Sequence, residues 1–107
     1  MQMDIVGSAT ALQHLESWTA SHDGKAIMRE FKFDSFITAF GFMTACAIKA
    51  EKMNHHPEWL NVYNTVKVEL TTHDAGDVTT LDLELAVFMD MQAGALSVPD
   101  NEAEADE

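Results

Sequence analysis

An alternating pattern near the middle of the chain constrains the fold more than any other feature. Between residues 66 and 71 apolar and polar side chains alternate, in the order Val66, Lys67, Val68, Glu69, Leu70 and Thr71. Successive side chains of a strand point to opposite faces, so this pattern predicts a strand with one buried face and one face in water. The β-rich residues 59–63 precede it, and Asn64-Thr65 is the predicted turn of a hairpin.

A second hairpin is predicted earlier in the chain, between residues 18 and 33. The dipeptide Asp23-Gly24 is typical of a tight turn with positive backbone φ. After this turn, one face of the strand carries three apolar residues and one charged interruption: Ile27, Phe31, Phe33 and Arg29. Two hairpins together predict a four-stranded antiparallel sheet.

Three helical patterns flank and separate the hairpins. The first covers residues 9–16 with Ser8 as its predicted N-cap, and the second extends from an Asp34 cap to about Met53. The second pattern carries apolar residues at spacings of three and four, which predict its buried face: Phe36, Ile37, Phe40, Met43, Thr44, Ala47 and Ile48. Thr79 or Thr80 is the predicted N-cap of the third helix.

The order helix, hairpin, helix, hairpin, helix predicts an α+β fold. Because the sheet has one wet face, we expect a two-layer sandwich, a four-stranded antiparallel sheet with three helices on one face. A chain of 107 residues forms one domain, which we place at residues 1–94. Residues 95–107 are predicted to form an acidic, disordered tail.

Charge and cysteine content exclude several classes of function. Removing the five acidic residues at the C-terminal end from the net charge of −12 leaves −7, which disfavours direct binding to nucleic acid or to a membrane surface. The single cysteine, Cys46, excludes an internal disulfide and is predicted to be a buried hydrophobe. With no signal-peptide pattern and no long apolar run, a soluble intracellular protein is expected.

Three of the five histidines lie in a short stretch that ends the second helix and the second hairpin. His55 and His56 are adjacent and followed by Pro57, and His73 lies 17 residues after His56. Surface or helix-end histidines, a metal site of Glu51, His55 and His73, and a general acid–base group all fit this spacing. The residues alone leave these three interpretations open.

The same stretch resembles the signature of a known family. The pattern Glu51-xxx-His55-His56-Pro57, followed at fixed spacings by Tyr63, His73 and Asp82, resembles that of the pterin-4a-carbinolamine dehydratases. The resemblance also covers residues 40–44, 50–52, 55–59, 61–64 and 72–73, and it extends from about Trp18 to Met89.

The resemblance implies dehydration of 4a-hydroxytetrahydropterin to quinonoid dihydropterin and water, which recycles the cofactor of aromatic amino-acid hydroxylases. It further implies that no metal and no organic cofactor is used, and that the chains form dimers that pair into tetramers. In animals the family also includes a dimerisation cofactor of a homeodomain transcription factor, so cytoplasmic and nuclear locations are both expected. A non-enzymatic dimerisation cofactor is the alternative function.

The resemblance also implies the site residues. Catalysis falls to His55, His56 and His73, with His56 as the principal acid–base group and Glu51 as the group that orients a histidine. The other predicted substrate-binding residues are Asn54, Pro57, Thr71, Thr72 and Asp74. Asn54 departs from the Asp of animal relatives, which removes a negative charge beside the histidine pair. Asp82 is interpreted as a helix-capping acid at capping-box spacing from Thr79.

Overall fold

The structure, a computed structural model, describes residues 4–96 and has the predicted α+β architecture. Its elements in chain order are α1 (Gly7–Leu12), β1 (Thr19–Ala20), β2 (Ile27–Lys32), α2 (Phe36–Met53), β3 (Glu58–Val62), β4 (Thr65–Leu70) and α3 (Thr80–Leu96). The strands form one antiparallel sheet in the order β1-β2-β4-β3. Both predicted hairpins are present, β1–β2 and β3–β4, and they join through the pairing of β2 with β4.

The predicted alternation along β4 is confirmed. Val66, Val68 and Leu70 are buried, whereas Lys67 is exposed. The register pairs Leu70 with Ile27 of β2, so buried side chains of neighbouring strands lie on the same face. This face and the helices share one hydrophobic core.

The other face of the sheet holds a shallow hollow of about 620 Å³. Its lining includes Met28, Glu30, Leu60, Lys67 and Glu69, the side chains that alternate with the buried set. The sheet is therefore wet on one side, as the pattern predicts.

The buried face of α2 is not the predicted one. The side chains that enter the core are Ala39, Phe42, Cys46, Ala50 and Met53. Within the predicted stripe, Phe36, Ile37, Phe40 and Ile48 are instead 47%, 81%, 55% and 56% exposed. Both faces are apolar, and the face with more small residues lies against the core, where it permits close packing.

Arg29 interrupts the apolar face of β2 because it has two partners there. Its guanidinium lies 4.2 Å from the centre of the Phe31 ring, and its Nη1 donates to Asp90 Oδ1 of α3 at 2.6 Å. The same carboxylate oxygen accepts from Trp18 Nε1 at 2.8 Å. The charge therefore fastens α3 and the segment before β1 to the sheet.

Two of the predicted N-caps are wrong. Ser8 lies inside α1, whose N-cap is Val6 and makes no side-chain capping bond. Ser35, not Asp34, caps α2, because its Oγ accepts the backbone N–H of Thr38. Both errors concern positions one or two residues from the real cap, where helix boundaries are hardest to place from sequence.

The turn and end positions also shift slightly from the prediction. The β3–β4 turn consists of Tyr63 and Asn64 rather than Asn64 and Thr65, and Tyr63 has a φ of +53°. The Asp23-Gly24 turn is confirmed, with a φ of +73° at Gly24. The third helix continues through Gly94 to Leu96, and the rest of the predicted tail lies outside the described residues.

Candidate active site

The candidate site lies where the end of α2, the start of β3, the loop after β4 and the first turn of α3 meet. The predicted capping box of α3 is present: Asp82 Oδ2 accepts the backbone N–H of Thr79 at 2.9 Å, and Thr79 Oγ1 accepts the N–H of Leu81 at 3.2 Å. This cap places a carboxylate directly beside the end of α2.

The backbone at the end of α2 determines where the two adjacent histidines begin. Asn54 is the C-cap and has left-handed geometry, with φ 53° and ψ 44°. The N–H of His55 then returns to the carbonyl of Ala50 at 3.0 Å. Asn and Asp tolerate this conformation better than other non-glycine residues, which gives the Asn54 position a backbone role.

His55 is the buried member of the histidine cluster. Its side chain is 9% exposed, and its Nε2 lies 2.6 Å from Oδ1 of Asp82, whose side chain is 0% exposed. Asp82 is thus a capping acid, as predicted, and also the partner of a candidate catalytic histidine. A carboxylate at a helix N-terminus interacts favourably with the helix dipole, and the hydrogen bonds that it accepts offset part of the cost of its burial.

Two threonine hydroxyls complete the surroundings of Asp82. Thr72 Oγ1 donates to Asp82 Oδ2 at 2.8 Å and lies 2.7 Å from Thr79 Oγ1. Both threonines are buried. Every buried side-chain nitrogen or oxygen among residues 4–96 has a hydrogen-bond partner, so this polar cluster is satisfied.

His56 pairs with Glu51 at the surface. Its Nε2 lies 3.0 Å from Glu51 Oε1, and the two side chains are 58% and 82% exposed. The carboxylate therefore orients a ring that remains open to solvent and to a substrate. Pro57 directly follows His56 and excludes helical backbone there, so the histidine pair stays at the end of α2.

His73 is brought to the same region by Glu58, the first residue of β3. Its Nε2 lies 2.8 Å from Glu58 Oε2, and its side chain is 78% exposed. A bridge between Thr72 and Asp77 closes the loop that carries His73, and Gly76 in that loop has a φ of +68°. The adjacent Thr72 and His73 thus contact the buried and the exposed part of the site respectively.

The other predicted substrate-binding residues fall into two groups, those whose side chains bond to protein atoms and those at or near the surface. The Thr72 hydroxyl is directed into the buried cluster, and Thr71 Oγ1 donates to the carbonyl of Lys25 at 2.7 Å in the first hairpin. Asn54 and Asp74 are exposed, and Pro57 is half-buried. The hydroxyls of both threonines therefore have protein partners.

The three candidate metal ligands do not converge on one point. Glu51 contacts His56 rather than His55, and His73 contacts Glu58. Within residues 4–96 no group of three or more His, Cys, Asp or Glu side chains is arranged to hold a metal ion. The arrangement instead consists of three separate histidine–carboxylate pairs, which suits proton transfer.

Several contacts of this site were not predicted from the sequence, among them those of Asp82 with His55, Glu58 with His73 and Thr79 with Thr72. Glu58 lies 15 residues from its partner His73, and nothing in the spacing distinguishes it from an ordinary strand residue. Thr79 is predicted as a cap, but its second contact depends on the position of the loop after β4. Only the tertiary structure brings these groups together.

Known protein families include one that matches most of this chain. The sequence model of the family described as Pterin 4 alpha carbinolamine dehydratase matches residues 4–92. The chain belongs to this family. Within the described part of the chain, no helix is long and apolar enough to cross a membrane.

Bacterial relatives of this dehydratase-family chain match nearly its whole length. A protein of Sinorhizobium fredii with the provisional name pterin-4-alpha-carbinolamine dehydratase is 50% identical over 100 residues, which are 94% of each chain. A protein of a Bradyrhizobium species with the same provisional name is 56% identical over 89 residues, which are 83% of this chain and 89% of that one.

Two solved structures share the fold. The crystal structure of a transcriptional coactivator/pterin dehydratase from Brucella melitensis has a TM-score of 0.80 and 44% identity, and the match covers 84% of this chain and 99% of that one. A pterin dehydratase-like protein described as a RuBisCO assembly factor in the alpha-carboxysome has a TM-score of 0.64 at 23% identity, over 76% and 94% of the chains. The second likeness concerns the fold alone.

Proposed function

We propose that this protein dehydrates 4a-hydroxytetrahydropterin to quinonoid dihydropterin and water by histidine acid–base catalysis. The observation that supports this most is the grouping of three histidine–carboxylate pairs, one buried and two exposed, where four chain segments meet. Membership of the dehydratase family supplies the substrate class. In a cell that contains an aromatic amino-acid hydroxylase, the reaction would regenerate its pterin cofactor.

The reaction requires only proton transfers. The bond between C4a and the hydroxyl oxygen breaks, a proton is delivered to the departing oxygen to form water, and a ring nitrogen loses a proton as the new C=N bond forms. Because no electrons are gained or lost overall, groups that give and take protons near neutrality are sufficient. Histidine has this property, with an ordinary pKa of about 6.5.

We assign the principal acid–base role to His56, with His55 and His73 acting at the 4a-hydroxyl and the ring. The exposed ring of His56 and the Glu51 carboxylate beside it support this assignment, because the ring can reach a substrate while its orientation is held. Acid–base groups of this kind contribute about 10²- to 10⁴-fold each to the rate.

The test is the rate of 4a-hydroxytetrahydropterin dehydration in chelator-treated buffer for the wild type and three variants, His55→Ala, His56→Ala and His73→Ala. Each variant is expected to lose about 10²-fold or more, with the largest loss for His56→Ala. His14→Ala and His22→Ala serve as matched controls, since both histidines are exposed and lie outside the site. A wild-type rate for His56→Ala would refute its role, and an inactive wild type would refute the enzymatic proposal.

The exposed apolar face of α2 supports a proposal that this chain forms homodimers or homotetramers. The helix α3 also has exposed apolar side chains, since Val87 and Met91 are 40% and 66% exposed. The rings of Phe36 and Phe40 lie 5.8 Å apart and form a contiguous aromatic part of the α2 face. An apolar face of this kind is normally covered by a partner. Sedimentation should show an oligomer that Ile37→Glu and Phe40→Glu dissociate, whereas Lys25→Glu, a charge reversal at an exposed position in the β1–β2 turn, leaves it intact.

The alternative function is a non-enzymatic dimerisation cofactor of a transcription factor. The same α2 face supports it, since that face is the surface on which a partner helix would dock. A wild-type protein that turns over no carbinolamine but binds an amphipathic partner helix, and loses that binding in Phe40→Glu, would favour this alternative.

A further inference from the structure

The hydrogen bonds around Asp82 form a chain with one direction. Thr79 Oγ1 accepts from the backbone N–H of Leu81 at 3.2 Å, and Thr72 Oγ1 donates to Asp82 Oδ2 at 2.8 Å. The two hydroxyl oxygens lie 2.7 Å apart. A hydroxyl has a single proton, so the proton of Thr72 is already committed to Asp82. The bond between the two hydroxyls must therefore be donated by Thr79.

This direction is the one that an ionised Asp82 requires, because a carboxylate without a proton can only accept hydrogen bonds. Asp82 Oδ2 accepts from the Thr72 hydroxyl and from the Thr79 N–H at 2.9 Å, and two donors directed at one oxygen favour the ionised form of the carboxyl group. Its position in the first turn of α3 also favours the anion. An ionised carboxylate can only accept, so Nε2 of His55, 2.6 Å from Oδ1, must carry the hydrogen of that contact.

The remaining ring nitrogen of His55 is Nδ1. It makes no hydrogen bond to a residue in the described part of the chain, and it is not an enclosed unsatisfied atom. With Nε2 held as a donor, neutral His55 has its lone pair on Nδ1. A proton that His55 gives or takes must therefore pass through Nδ1.

We propose that Thr72 and Thr79 are positioning residues that hold Asp82 as an anion and neutral His55 as its Nε2–H tautomer, so that Nδ1 is the atom with which His55 exchanges protons. The part of this proposal that concerns proton exchange with a substrate rests on the proposed dehydratase function. The tautomer itself depends only on the hydrogen-bond chain. Thr72 is consequently a residue that supports catalysis from within the protein, and its hydroxyl does not bind substrate.

The experiment combines nitrogen-15 NMR of the histidine rings with dehydration kinetics. Spectra are recorded well above the ordinary histidine pKa of about 6.5, where the two neutral tautomers give distinct signals. The wild type should show His55 with its hydrogen on Nε2. Thr72→Val and Thr79→Val remove a hydroxyl with little change in volume, whereas Thr72→Ser and Thr79→Ser retain it and serve as matched controls.

The valine variants should show a mixture of tautomers at His55 and a turnover reduced by about 10- to 100-fold, with unchanged signals from His14 and His22. The serine variants should resemble the wild type in both measurements. Thr79 also caps α3, so Thr79→Val could prevent folding. In that case the proposal is tested with Thr72→Val. If neither valine variant folds, the proposal is tested by the wild-type spectrum, which shows whether His55 has its hydrogen on Nε2 or on Nδ1.

A wild-type His55 with its hydrogen on Nδ1 would overturn the proposal, as would a Thr72→Val variant with wild-type tautomer and turnover. If the protein is not a dehydratase, the two measurements give a different combination of results. In that case the wild type would turn over no carbinolamine, while the Nε2–H tautomer and its loss in the valine variants would still be seen.

Discussion

The Nε2 atom of His55 lies 2.6 Å from Oδ1 of Asp82, although 27 residues separate them in the chain. The contact joins the residue that follows the C-cap of α2 to the first turn of α3. Both side chains are buried, so the strength of the contact is little reduced by solvent. It also couples folding to the candidate chemistry, because the same carboxylate caps a helix and orients a histidine.

The substitution Asp82→Asn should therefore affect both stability and turnover. The introduced side chain would retain one acceptor for the cap but would present an amide or a neutral oxygen to His55, which removes the charge-assisted bond. We expect a loss of about 1–3 kcal/mol in the free energy of unfolding and of at least about 10²-fold in dehydration rate. Urea unfolding and steady-state kinetics measure the two effects.

Glu84→Gln is the matched control for this substitution. Glu84 lies on the same helix, and its carboxylate pairs with Lys49 at 3.1 Å in an exposed position. Its removal should cost no more than about 1 kcal/mol and leave turnover unchanged. An Asp82→Asn variant as stable and active as Glu84→Gln would contradict the role assigned to the buried pair.

The left-handed backbone of Asn54 predicts an order of stability among substitutions there. Asn54→Ala should destabilise the protein by about 1 kcal/mol, because a Cβ-bearing residue without a local polar side chain is disfavoured at a φ of 53°. Asn54→Gly should be at least as stable as the wild type, since glycine adopts this conformation freely. Thermal unfolding gives the comparison, and an alanine variant more stable than the glycine variant would contradict it.

The contact between Arg29 and Asp90 is expected to contribute measurably to stability. The two side chains are 26% and 29% exposed, and the same carboxylate oxygen accepts from Trp18. A double-mutant cycle with Arg29→Met and Asp90→Asn should give a coupling energy of about 1–2 kcal/mol. The cycle with Lys49→Met and Glu84→Gln, a pair whose carboxylate side chain is 54% exposed, should give about 0.5 kcal/mol or less. Equal coupling in the two cycles would argue against a special role for Arg29.

Burial raises the pKa of the Cys46 thiol to about 12 from 9.0. The folded protein should therefore not react with an aromatic disulfide reagent near pH 8, whereas the unfolded protein reacts at once. Since the folded state keeps its thiol proton while the unfolded state releases it above pH 9.0, stability should fall as pH rises from 9.0 towards about 12.

Cys46→Ala supplies the control for the alkaline effect. It lacks the thiol but retains every other group that titrates in that range, so its stability should fall less steeply with pH than that of the wild type. Parallel slopes for the two proteins, or rapid reaction of the folded wild type with the reagent, would contradict the burial of this thiol.

The sequence predicted those features that depend on local pattern. The alternation from Val66 to Leu70, the Asp23-Gly24 turn and the Thr79–Asp82 capping box each appear in the structure, because each involves residues within a few positions of one another. The extent of α2 to Met53 was predicted for the same reason. Errors at Ser8, Asp34 and the β3–β4 turn amount to one or two residues, and α1 ends at Leu12 rather than at the predicted residue 16.

Features that depend on packing between distant segments were not predicted. The stripe of Phe36, Ile37, Phe40 and Ile48 is as apolar as the face that is buried, so periodicity alone could not identify the core side of α2. Close packing selected the face that carries Ala39, Cys46 and Ala50. Arg29 likewise became explicable only when its partner on α3 was in place.

The sequence by itself determined the α+β fold, the candidate histidines and their family, since these depend on periodicity and on spacing along the chain. Only the tertiary structure decided which carboxylate each histidine contacts: Asp82 for His55, Glu51 for His56 and Glu58 for His73. A hydrogen bond forms only when its two heavy atoms lie within a few tenths of an ångström of about 2.9 Å. Those distances are determined when the end of α2, the loop after β4 and the start of α3 pack together.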